Sequence, residues 1–162
     1  MKDLILMRHA KSAWGNPGLG DHARPLNTRG QRAATALGEW LRAETLLPDQ
    51  ILCSTSARTV ETCDRLGLHL APELLKRLYL ADPADMLGCL RAARGARVLM
   101  IGHNPGICEF AHALVSDPPR HDRFADYPTG ATLVARFDVT DWSEVTPGTA
   151  TVLHFVTPHD LT

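Results

Sequence analysis

Four places in the chain carry side chains suited to hold or attack a phosphoryl group. They are Arg8 with His9 in LILMRHAKS, Arg24 in the glycine-rich stretch that follows, Arg58 in STSARTVET, and His103 in VLMIGHNP. A guanidinium is a permanently charged fork that matches phosphoryl oxygens two at a time. A neutral imidazole is a nitrogen nucleophile or a hydrogen-bond donor to the same oxygens. One such residue alone would mean little. What carries weight is the recurrence of this chemistry at successive points where an apolar run gives way to a polar turn.

Those points follow from the elements expected around them. Leu4 to Met7 is apolar without alternation, as in a strand buried on both faces of a parallel sheet, so Arg8 and His9 fall at its carboxyl end, where ligands collect in open α/β sheets. WGNPGLGDHARPLN must be a loop; its glycines run GxxGxG, not the dinucleotide order GxGxxG, and the chain contains no GxxxxGK[ST]. Asn27 and Thr28 are both good N-caps, Thr28 with Gln31 would form a capping box, and Ala33, Leu37, Trp40 and Leu41 recur at helical spacing as a core face. QILCS reads as a second strand, and Ser56 caps the helix after it, with Arg58 in the first turn. A cation there opposes the helix dipole and becomes sensible when an anion sits at that end. Residues 72–80 read as a short extended piece leading to a helix from Pro83 to about Arg94. Val98 to Ile101 is another apolar strand, which delivers His103 to a helix with Asn104 as N-cap and Pro105 in its first position. Ser116 to Pro128 is expected to be a long surface loop. YPTGATLVARFDV and TATVLHFV read as two more strands, an antiparallel or edge pair of the same sheet.

RHAKS, DHARPLNTRG, SARTVET, GHNP and YPTGAT, in this order, resemble the motifs of the histidine phosphatase superfamily, in the compact branch typified by the phosphohistidine phosphatase SixA. The resemblance implies a phosphoglycerate mutase-like fold, a three-layer α/β/α sandwich around a mostly parallel sheet. It implies that His9 attacks phosphorus to form a phosphohistidine enzyme, with Arg8, Arg24, Arg58 and His103 holding the nonbridging oxygens and no metal or other cofactor taking part. Neighbouring arginines and partial burial would keep the His9 imidazole neutral. Many members use a glutamate after the second helix as general acid. The comparable stretch here, RLYLADPAD, has no clear equivalent; Asp21 is the candidate substitute, with Glu73, Asp82 and Asp85 as alternatives. A missing strong acid favours phosphoramidates such as phosphohistidine, whose leaving group needs little help. A phosphorylated protein is therefore the expected substrate, and a small phosphorylated metabolite or a non-catalytic phosphate-binding module are the rival readings.

The bulk composition agrees with one domain over residues 1–162. Charged residues make up 22% and the formal net charge is −1, so no basic field is available for nucleic acid. No run approaches the roughly 18 apolar residues of a membrane span, and no secretory signal pattern is visible, which makes the cytoplasm the expected compartment. Cys53, Cys63, Cys89 and Cys108 form no CxxC pair and are expected to be buried free thiols. There is no HExxH, and His22, His69, His112, His121, His154 and His159 read as surface or satisfied core residues.

Overall fold

The computed structural model describes residues 1–162. Strand β1 (Lys2–Arg8) forms the spine, because period-two alternation feeds its apolar residues into two separate cores. Leu4 and Leu6 enter a larger cluster; Ile5 and Met7 enter a smaller one. All four are fully buried. The remaining strands are β2 (Gln50–Ser54), β3 (Glu73–Leu75), β4 (Arg97–Gly102), β5 (Thr132–Phe137) and β6 (Thr151–Val156). They make one six-stranded sheet in the order β3-β2-β4-β1-β5-β6. β1, β2, β3 and β4 are parallel, and β5 and β6 add an antiparallel edge pair, as expected.

Helices α1 (Thr28–Ala43) and α2 (Ala57–Leu66) cover the smaller core through Leu37, Leu41, Cys63 and Leu66. Helices α3 (Pro83–Arg91) and α4 (Gly106–Leu114) cover the larger one through Met86, Leu90, Ile107, Phe110 and Leu114. The result is the expected three-layer sandwich.

Several local expectations are corrected. Asn27, not Thr28, caps α1, its Oδ1 accepting from Gly30 N at 2.8 Å. Gln31 makes no capping box; its amide donates to Glu61 at 3.0 Å. Ala33 and Trp40 are half-buried, and the buried stripe of α1 runs instead through Gly30, Ala34, Leu37, Gly38 and Leu41. Asn104 does not cap α4, which starts at Gly106 after a cis Asn104–Pro105 bond; its amide donates to the carbonyls of Asp126 and Tyr127 at 3.0 and 3.1 Å. Helix α3 stops at Arg91, and the Arg94 amide donates to Gln50 Oε1 at 2.8 Å. Cys53, Cys63 and Cys89 are buried free thiols, whereas Cys108 is half-exposed.

The segment expected as a surface loop sends Phe124 and Tyr127 into the core. Tyr127 is fully buried. Its hydroxyl donates to the Leu6 carbonyl at 2.6 Å and accepts from Leu133 N at 3.2 Å, bridging β1 and β5. It holds a left-handed backbone, φ 51°, unusual for an aromatic residue. Contacts on both sides enforce that conformation: the side chain is walled in, and its carbonyl accepts from Arg8 and Asn104. Tyr127→Phe removes both hydrogen bonds of the buried hydroxyl and should lower stability by about 1 kcal/mol. The urea midpoint checks this, and an unchanged midpoint would show that the bridge contributes nothing.

Candidate active site

The carboxyl ends of β1, β2 and β4 and the loop after β1 converge on one crevice. His9 is held by its backbone, donating to Gly102 O at 3.1 Å and accepting from Gly130 N at 2.9 Å, so the ends of β4 and β5 fix it. Its Nδ1 lies 2.7 Å from the Ala10 carbonyl. A carbonyl only accepts, so Nδ1 carries the proton and Nε2 presents its lone pair. Arg58 Nε donates to that lone pair at 3.3 Å. The same turn is tied to α2 through Thr62, whose hydroxyl accepts from Ala10 N at 3.1 Å and donates to Arg58 O at 2.7 Å. His9 is 6% exposed. Burial pushes its pKa down to about 3; the Ala10 contact opposes this, and Arg8, Arg58 and Arg24 add to it. At neutral pH His9 is therefore uncharged.

Arg58 is 3% exposed, yet permanently charged. Its Nη1 donates to the Asp21 carbonyl at 2.8 Å and its Nη2 to Asp21 Oδ2 at 3.0 Å. The other carboxylate oxygen of Asp21 accepts from Arg24 Nη2 at 3.0 Å. Arg24 also donates to the Ser12 hydroxyl and stacks on Trp14, 3.7 Å from the ring centroid. One carboxylate thus bridges two guanidinium groups, as a phosphoryl group would. Arg8 donates from Nη1 to Tyr127 O at 3.1 Å, and its buried Nε has no partner.

His103 sits 5.3 Å from His9 between ring centroids and is 1% exposed. Its Nε2 lies 2.8 Å from the Ser54 hydroxyl and its Nδ1 is buried without a partner. Burial lowers its pKa to about 3, with His9, Arg58 and Arg8 adding to the shift and Asp21 opposing it. His103 Nδ1 and Arg8 Nε are thus two buried polar atoms, at the ends of neighbouring strands, that the protein itself leaves without a partner.

Arg8, His9, Arg24, Arg58 and His103 are all brought together. Asp21 also reaches the site, but the candidate general acid arrives in the wrong protonation state. The Tyr79 hydroxyl, donating to Oδ2, is the largest cause, burial opposes it, and Arg24 and Arg58 add to it; together they hold the carboxyl well below the usual carboxylate range. The alternatives are engaged elsewhere: Glu73 accepts from Gln50, Asp82 caps α3, and Asp85 pairs with Arg77 at 3.3 Å. Sequence reasoning missed Tyr79, which stands edge-on to His103 at 5.5 Å within RLYLADPAD, and His22, which bonds Thr55 at 2.9 Å beside it. Ser54 and Thr62 were missed as well, because their roles come from contacts across dozens of residues. No three His, Cys, Asp or Glu side chains come together where they would hold a metal ion.

Two outcomes follow from these charges. The folded protein refuses the protons that unfolded His9 and His103 bind below about pH 6.5, so stability falls as pH drops from 6.5 towards 3. The loss reaches up to about 1.4 kcal/mol per pH unit for each imidazole. Urea unfolding at pH 7 and pH 4.5 should show a smaller loss for His103→Asn than for wild type; equal losses would mean that His103 is protonated in the fold. Asp21→Asn removes the carboxylate that competes for Arg24 and Arg58, and should tighten inhibition by inorganic phosphate by about tenfold. Weaker inhibition would instead make Asp21 a support for the arginines.

The family model of the histidine phosphatase superfamily (branch 1) matches residues 4–82. An uncharacterised protein of Mycobacterium tuberculosis is 35% identical over 159 residues, spanning 94% of this chain and 99% of its own. A solved structure from Nakamurella multipartitia, described as a candidate phosphohistidine phosphatase SixA, superposes with a TM-score of 0.86 at 29% identity, over 97% of this chain and 96% of that one. The protein histidine phosphatase SixA complexed with tungstate shares the fold, with a TM-score of 0.80 at 23% identity over 99% of both chains. With its fold, its motifs and these likenesses in agreement, the chain belongs to the histidine phosphatase superfamily, as a hydrolase of the SixA-like branch.

Proposed function

We propose that residues 1–162 form one catalytic domain that removes phosphoryl groups from phosphohistidine on other proteins, through a phosphohistidine of its own at His9. The observation that carries this reading is the His9 tautomer. With Nδ1 bound to Ala10 O, the lone pair on Nε2 faces the arginines and His103. In the first step Nε2 attacks phosphorus, an N–P bond forms, and the bond from phosphorus to the leaving nitrogen breaks. The departing imidazole keeps that electron pair and takes a proton from solvent. In the second step water attacks phosphorus, the His9 N–P bond breaks, and inorganic phosphate leaves with His9 neutral again.

Arg8, Arg24, Arg58 and His103 hold the three nonbridging oxygens through both steps, where such electrostatic support is often the largest catalytic contribution. Asp21 gives up its place to the phosphoryl group, and because it is ionised in the empty protein it brings no proton with it for the leaving group. That is why a phosphoramidate suits the site better than an alkyl phosphate.

Rapid-quench labelling under alkaline conditions, with a phosphohistidine peptide and a simple phosphomonoester in parallel, tests the proposal. Wild type should become labelled and turn the peptide over faster, His9→Ala should take no label, and Arg58→Ala should lose about 3 kcal/mol of transition-state stabilisation. Label from the monoester alone would overturn the substrate class and keep the nucleophile. Label on His9→Ala would overturn the nucleophile.

A further inference from the structure

A second basic cavity, of about 180 Å³, opens beside the catalytic turn, lined by Lys11, Arg29, Arg123, Thr129, Thr157 and His159. Two of its lining residues, Lys11 and Thr129, lie close along the chain to His9 or to its backbone partner. Lys11 follows His9 by two residues, so their Cα atoms lie within about 7.6 Å. Thr129 precedes Gly130, whose N–H donates to His9 O. The N-terminal turn of α1 closes the cavity from above: Asn27 N donates to Lys11 O at 3.0 Å, and a Cβ on Gly30 would come within 2.0 Å of that oxygen. Only glycine allows this approach, which sets Arg29 beside Lys11.

The charges here are not balanced as they are around Arg58. Arg123 pairs with Asp126 at 2.9 Å, and Asp160 is taken by His121 at 2.7 Å and by Thr157. Neither Lys11 nor Arg29 makes an ion pair. Arg29 also stands in the first turn of α1, which holds no acidic residue, so it opposes the helix dipole. The chain as a whole has a net charge of −1, so the cluster does not reflect general basicity. The volume suits a carboxylate with a few waters, at about 30 Å³ per water.

We infer that this cavity is a second anion subsite, which receives a carboxylate of the substrate polypeptide two or three residues from its phosphorylated side chain. The inference rests on the reading of the substrate as a phosphorylated protein. An extended peptide advances about 3.3 Å per residue, so two residues cover about 6.6 Å, within the limit of about 7.6 Å on the Cα separation of His9 and Lys11. Lys11 and Arg29 then read the sequence around the phosphoryl group, while the catalytic turn reads the group itself.

Non-hydrolysable phosphohistidine-analogue peptides, flanked by Glu or by Ser, test this by calorimetry. A pair of small phosphomonoester analogues, with a distal carboxylate or a distal hydroxyl, runs alongside. Wild type should bind the Glu-flanked peptide about tenfold more tightly than the Ser-flanked one, a preference that high salt removes. Lys11→Glu combined with Arg29→Glu should bind the two peptides equally or reverse the order. A preference within the small-molecule pair alone would keep the anion subsite, but assign its anion to a metabolite and overturn the protein substrate. No preference in either pair, at low salt, would overturn the subsite whatever the enzyme turns over.

Discussion

Arg58 cannot be discharged and is almost wholly removed from water, so the protein must answer its charge in place. The effective cost of burying such an ion is several kcal/mol, and leaving it unpaired would consume much of a small domain's stability. Here the answer is the turn at Asp21, which folds back over the crevice and offers Arg58 both a backbone carbonyl and a carboxylate oxygen. Tyr79 donates to the same carboxylate oxygen as Arg58, and Arg24 takes the second oxygen. The turn at Asp21 is thus held by both arginines and by Tyr79, and the same contacts, the Tyr79 hydroxyl foremost, keep the proton affinity of Asp21 low. An incoming phosphoryl group meets the demand as well as Asp21 does, with more oxygens, which is what makes the crevice both stable when empty and receptive.

The histidines answer the same field in the opposite way, by refusing protons. Two imidazoles 5.3 Å apart, both buried near several guanidinium groups, are more stable neutral than charged. For His9 this yields a nucleophile whose lone pair is oriented by one carbonyl. For His103 it leaves a ring whose Nε2 meets the Ser54 hydroxyl, a group that can donate or accept. His103 can therefore gain a proton when a dianionic phosphoryl group arrives, without giving up that bond, because the hydroxyl turns from donor to acceptor. Ser54 is at the end of β2 and His103 just beyond the end of β4, so the parallel pairing of these strands sets their contact.

What could be seen in the sequence was whatever the chain makes locally. Arg8, His9, Arg58 and His103 announce themselves because each follows an apolar run at a strand end or opens a helix, and the sheet order then does the gathering. The layers were legible for the same reason, since the unbroken apolar run of β1 and the helical spacing in α1 are local patterns. Tyr127 was not, because nothing in the residues around it signals a left-handed aromatic whose ring is buried beneath the sheet edge and whose carbonyl receives Arg8. Tyr79 likewise lies in an irregular stretch, and its partner Asp21 is 58 residues away. A cap is left open where two good candidates adjoin, since Asn27 and Thr28 each offer a side-chain oxygen, and Asn104 looks like a cap until the loop around Tyr127 supplies carbonyls that claim its amide.

The protonation state of Asp21 ties these points to the choice of reaction. A carboxylate bound by two guanidinium groups and a phenol would have to pay for all three contacts in order to carry a proton at neutral pH. In the empty protein it is therefore ionised and holds no proton for an alkoxide, a poor leaving group that needs protonation as its bond to phosphorus breaks. An imidazole leaving from phosphohistidine departs far more readily, and the catalytic demand shifts to holding the transferring oxygens, for which the arginines are already in place. The contacts that keep Arg58 stable in the empty protein are thus the same ones that keep Asp21 ionised there, and under the proposed function this is what favours a leaving group that needs no proton.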